Sequence, residues 1–146
     1  TMISGVYGFT RDVTVKASDL VGNVLQEWIL PGEFYNTCGI ASAELDLGEV
    51  PYETAYISAD TDWTLRRRLP AVFDEYGVAE VNFSEENMLK GGDLDGDNWV
   101  SMRDFTYLQN AFGTSDPAAD INGDGTVDSM DWLIYAPNMG ATGDPE

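Results

Sequence analysis

Two hydrophobic periodicities divide the chain. Over the first ninety or so residues, apolar and polar positions alternate in short runs. Val13, Val15 and Ala17 alternate with Thr14, Lys16 and Ser18, and Ala43, Leu45 and Leu47 with Glu44, Asp46 and Gly48. Ala55, Ile57 and Ala59 alternate with Thr54, Tyr56 and Ser58, and Ala79, Val81 and Phe83 with Glu80, Asn82 and Ser84. Successive side chains on a strand point to opposite faces, so a period of two marks segments with one buried face. Gly22-Asn23, Pro31-Gly32, Pro51, Pro70 and Gly77 punctuate the runs, which predicts antiparallel strands. With Ile3–Phe9, Val24–Leu30 and Trp63–Leu69 the count is about seven strands, as in a small Ig-like β-sandwich over residues 1–90.

The period changes after Lys90-Gly91-Gly92, where a second, α-helical domain over residues 91–146 is expected. Phe105, Leu108 and Phe112 recur at i, i+3 and i+7, and Trp132, Tyr135 and Met139 repeat that spacing, each an apolar helical stripe. Gly113 and Gly140 stand where a helix would stop. Pro137 lies inside the second pattern; its ring removes a backbone donor and clashes with the preceding turn, so that helix is expected to end early. So short a junction predicts two parts held in a nearly fixed relation.

An acidic loop precedes each helix. Asp93, Asp95, Asp97, Ser101 and Asp104 place oxygen side chains at positions 1, 3, 5, 9 and 12, and Asp120, Asn122, Asp124, Asp128 and Asp131 repeat them. This is the ligand spacing of an EF-hand-type calcium loop, with the backbone carbonyls of Trp99 and Thr126 at position 7. Calcium takes six to eight oxygens, and gathered carboxylates that would otherwise repel one another favour folding around a divalent ion. Two calcium ions are therefore expected. Gly125 fills position 6, where the chain turns sharply, and Asn98 takes that place in the first loop as a residue tolerant of left-handed backbone.

No periodic helix precedes either loop, and position 12 is Asp instead of Glu, which departs from an ordinary EF-hand. The loop-then-helix duplication from Asp93 to about Gly140 resembles the dockerin family, type I pattern. That resemblance implies a calcium-dependent docking module whose partners are cohesin domains on extracellular scaffolds. It also implies that loop positions 10 and 11, here Met102, Arg103, Ser129 and Met130, meet the partner. They differ between the repeats, which argues against a symmetric two-way binding mode. The run from Thr54 to Leu69, followed by the acidic loop, is similar to C-terminal units of secreted planctomycete-type bacterial proteins that join a β-sandwich to a dockerin-like tail.

Composition narrows the function. The 146 residues carry a formal charge of −19, unfavourable for nucleic acid or an anionic membrane, and no run is long and apolar enough to span a bilayer. The absence of histidine excludes Ser-His-Asp and Cys-His arrangements, and the clustered carboxylates are accounted for as calcium ligands, so no enzyme is expected. Calcium loops of this kind suit an extracellular or cell-surface setting. Arg66-Arg67-Arg68 is the one basic cluster. Arg66 and Arg68 share a strand face, either solvated or set to meet the acidic loops of a neighbouring copy. The expectation is thus a calcium-stabilised assembly module, docking head to tail as a fibre or surface layer, or binding a cohesin on a separate scaffold. A carbohydrate-binding module is the further alternative, given four tryptophans. Cys38, the single cysteine, is expected to be buried or bridged to another chain, and Asn82-Phe83-Ser84 fits a glycosylation sequon.

Overall fold

In a computed structural model, residues 7–36, 45–83 and 85–146 are described. Four strands, β1 (Tyr7–Ser18), β2 (Val24–Asn36), β3 (Tyr56–Asp60) and β4 (Arg67–Pro70), form one antiparallel sheet in the order β2-β1-β3-β4. Alternation does what it predicts on β1 up to Ala17, while on β3 the intervening Ser58 is buried as well. Val13, Val15, Ala17, Ile57 and Ala59 are buried together on one face. Lys16 and Ser58 are opposed in register among the intervening residues.

The Ig-like sandwich expected from seven runs is not what the described residues form. Two expected strands merge, because β1 runs on past Phe9 to Ser18 without a break. β2 also continues through Pro31-Gly32, read above as punctuation, with Pro31 opposite Asp12. Proline lacks a ladder donor, and β2 tolerates it because it lies at the sheet edge. Residues 45–48 and 79–83 are not strands. Their apolar residues Leu45, Leu47, Val81 and Phe83 nevertheless pack on the sheet's buried face, so their alternation reports burial without ladder pairing. Residues 37–44, with Cys38, and Ser84 of the sequon lie outside the described residues.

Two helices follow, α1 (Met102–Ala111) and α2 (Ser129–Tyr135). α2 gives way to a short 3-10 turn over Ala136–Asn138, as Pro137 requires. Gly113 and Gly140 take φ values of 80° and 86°, the left-handed backbone that ends a helix. Leu108 and Tyr135, at equivalent places in the repeats, are fully buried with Val100, Val127, Ala111, Ala119 and Ile121. The Tyr135 hydroxyl donates to the Ser101 carbonyl at 2.8 Å, which satisfies its one buried donor.

The helical stripes are narrower than their spacing suggested. Phe105 is half-buried, while Trp132, Phe112 and Met139 are exposed at 39%, 55% and 51%. Short helices crossing one small core bury one residue per repeat deeply and leave the ends of each stripe outside. Val100 and Val127, at position 8 of the two loops, are fully buried in the same cluster. Val127 exchanges backbone bonds with Gly113 and Thr114 (both 2.8 Å), and Val100 with Gly140 and Ala141 (2.8 and 2.9 Å). Each loop is thereby stitched to the end of the helix that belongs to the other repeat.

The sheet and the helical region share structure. The Leu65 N–H donates to the Lys90 carbonyl at 2.9 Å, and the Gly92 N–H to the Trp63 carbonyl at 2.8 Å. Leu65 itself, 3% exposed, lies in the helical core, although it precedes the expected boundary.

Candidate metal loops and docking face

The two loops have the same internal scaffold, position by position. Asp93 accepts the N–H groups of Gly96, Asp97 and Asn98 at 2.9, 3.1 and 2.9 Å. Asp120 accepts those of Gly123, Asp124 and Gly125 at 2.8, 3.2 and 2.8 Å. Asp95 and Asn122 each accept from the residue two further on (3.2 and 2.9 Å), as do Asp97 and Asp124 (both 2.9 Å). At position 12, Asp104 holds Leu94, Asp95 and Ser101 at 2.7, 3.1 and 2.7 Å. Asp131 holds Ile121, Asn122 and Asp128 at 2.7, 3.1 and 2.8 Å.

Position 12 therefore has a task that the ligand spacing alone did not reveal. Ser101 and Asp128 are helix N-caps, accepting from Arg103 and Met130, while Asp104 and Asp131 reach back to the cap N–H groups. The signal was present as Ser-x-x-Asp and Asp-x-x-Asp ahead of apolar runs, a capping box with Asp in place of Glu. A carboxylate has about four acceptor sites, so three backbone donors leave each of these aspartates roughly one.

Asp93, Asp104, Asp120, Asn122 and Asp131 are buried, and the carboxylate oxygens of Asp93, Asp95 and Asp97 lie within 4.8 Å of one another. Burial pushes the Asp93 carboxyl up to about 6, with the charges of Asp104 and Asp97 adding to the rise against backbone donors that oppose it. Burial likewise raises Asp95 and Asp131. Desolvated, mutually repelling hard oxygens are what a divalent cation neutralises, so these residues fit the ion their spacing implies. In the second loop, Asn122 replaces one carboxylate and its amide donates to Asp124 at 3.0 Å.

Met102, Arg103, Ser129 and Met130 are exposed at the starts of α1 and α2, with Met102 at 57% and Met130 at 48%. A separate groove of about 330 Å³ is lined by Phe105, Leu108, Gln109, Phe112 and Trp132 and includes none of these four. The arginines are placed differently from the rest. Arg66 pairs with Asp60 at 3.1 Å and Glu146 at 3.3 Å, and Arg67 with Asp144 at 3.2 Å. Arg68 donates to the Glu146 carbonyl at 2.9 Å and stacks over Tyr56. The acidic partners of this cluster are in the same chain.

Sequence reasoning missed Arg11. Its guanidinium lies 3.8 Å over the Trp63 ring and donates to the Ile121 carbonyl at 2.8 Å and to the Asp120 carbonyl. Burial lowers it to about 10 despite Asp120, Asp131 and Asp62 nearby. The Trp63 indole N–H donates to the Ala118 carbonyl at 3.0 Å, so one face of this tryptophan is covered and is not open to a sugar ring. An isolated arginine on an alternating strand carries no sequence signal of such a role.

Residues 91–139 match the family model described as dockerin type I domain. A solved structure described as the type II cohesin-dockerin domain from Bacteroides cellolosolvens is 39% identical over 37% of this chain and 90% of that chain, with a TM-score of 0.35. No curated protein matches the chain. The family match falls on the residues that build the doubled loop and helix, and through this C-terminal region the chain belongs to the dockerin type I family.

Proposed function

We propose that this chain is a non-catalytic, extracellular docking module in which two calcium ions fix the helix starts that engage a cohesin-type protein. The observation that carries this reading is the repeated hydrogen-bond scaffold of the two loops, which ends in each case at a capped helix with an exposed methionine in its first turn. Asp93, Asp95, Asp97, the Trp99 carbonyl, Ser101 and Asp104 would hold one ion. Asp120, Asn122, Asp124, the Thr126 carbonyl, Asp128 and Asp131 would hold the other. Each ion supplies the positive charge that lets the buried carboxylates stay ionised. We divide the chain into a sheet domain over residues 1–90, with its unpaired apolar runs as a second layer, and a dockerin domain over residues 91–146.

Docking at Met102, Arg103, Ser129 and Met130 is favoured over a head-to-tail fibre because the Arg66 side chain already meets Asp60 and Glu146, and that of Arg68 the Glu146 carbonyl, of their own chain. Met102→Asp with Met130→Asp should weaken binding to a cohesin domain by about a hundredfold or more, the effect of removing central interface anchors. Arg66→Glu with Arg68→Glu should leave it unchanged. Calorimetric titration of a panel of cohesin domains, with the wild-type chain sedimented alone in calcium, decides between them. Calcium-dependent polymers of the chain alone that the arginine pair dissolves would contradict the cohesin reading.

A further inference from the structure

Two side chains join the loops to the sheet, and neither belongs to a ligand set. Arg11 of β1 holds the carbonyls of Asp120 and Ile121, the first two residues of the second loop, while stacked on Trp63. Asn98 does the corresponding work from position 6 of the first loop. Its side-chain oxygen accepts the Arg66 N–H at 2.9 Å, and its amide donates to the Asp144 carbonyl at 3.1 Å. Its backbone carbonyl takes the Gly143 N–H at 2.9 Å, while the Asp144 N–H donates to the Arg66 carbonyl at 2.8 Å. A Cβ on Gly143 would stand 1.9 Å from the Asn98 side-chain oxygen and 2.8 Å from the Arg66 nitrogen, so only glycine admits this approach. Asn98 has φ of 65°, a conformation glycine adopts more cheaply, and the second loop has Gly125 there. The asparagine therefore does something a glycine cannot: it ties the loop to the segment leading into β4.

Both ties end on groups whose position an ion would set. The Asn98 N–H is held by Asp93 at 2.9 Å, and Arg11 grips the backbone of Asp120 itself. In an ion-free loop, carboxylate repulsion opens the turn and withdraws these groups from β1 and from Arg66. We propose that calcium occupancy of the loops is coupled to the order of the sheet, with Arg11 and Asn98 carrying the stabilisation across. The inference rests on the calcium reading above and deepens it: the sheet is braced by the ions without touching them.

Amide hydrogen exchange on the full chain, in calcium and in chelator, tests this. Amides of Val13–Ala17 and Ile57–Ala59 should exchange about tenfold more slowly in calcium, a usual size for coupling between sites. In Arg11→Met with Asn98→Gly, the calcium effect on those strands should fall below about twofold while α1 and α2 remain protected by the ion. Gly143→Ala, which attacks the Asn98 tie from its other side, should also reduce the sheet effect. Calcium protection of the helices with no change in the wild-type sheet would overturn the coupling and leave the calcium reading standing. Undiminished sheet protection in the double variant would overturn the route through these residues. Helices indifferent to calcium would refute the calcium reading and the coupling with it.

Discussion

Removing calcium should unfold the helical region. Each loop gathers four aspartates, several of them buried, and burial already holds Asp93 well above an ordinary carboxylate. Binding that is confined to the native state adds about 2.7 kcal/mol per site when the free ion is a hundredfold above its dissociation constant. Two such sites approach the total stability of a small domain, about 5–15 kcal/mol. Heated in excess chelator, residues 91–146 are expected to melt far below their calcium-loaded transition and before the sheet. Asp93→Ala with Asp120→Ala should abolish the response to calcium, and it also leaves two loop N–H groups per repeat, those of Gly96 and Asn98 and of Gly123 and Gly125, without their acceptor. Paired thermal scans by circular dichroism measure this. A transition indifferent to chelator would contradict it.

The second large effect is expected at Leu108. Its side chain is 1% exposed in the cluster that includes Leu65, Val100, Ile121, Val127 and Tyr135. Leu108→Ala in saturating calcium should cost about 2–5 kcal/mol, the sum of lost transfer free energy and an incompletely collapsed cavity. Leu133 on α2 is 60% exposed, and Leu133→Ala should change stability by no more than about 0.5 kcal/mol. Denaturant unfolding of both variants gives the comparison. Equal costs at the two sites would mean that the helices pack in another register.

The helical third was more legible in the sequence than the sheet, for physical reasons. A twelve-residue loop must bring its oxygens together, so ligand spacing is nearly a geometric constraint, and the 3.6-residue period placed Leu108 and Tyr135 correctly. Stripe ends are decided by how small the core is, and Phe112, Trp132 and Met139 therefore stayed outside. In the first part, alternation identified which side chains turn inward at Leu45, Leu47, Val81 and Phe83. It could not say whether the backbone there finds a ladder partner, because burial and pairing leave the same trace. Pro31 misled for the opposite reason, since whether proline ends a strand depends on the strand lying at an edge. Arg11, Asn98 and Gly143 act through contacts 32 to 110 residues apart in sequence, and no local pattern announces these.

Calorimetric titration of calcium into the ion-free full chain addresses the central claim most directly. The expected result is two ions bound per chain, with helix formation detected in parallel, and loss of both in Asp93→Ala with Asp120→Ala. Heat indistinguishable from dilution, with helices already formed in chelator, would contradict it.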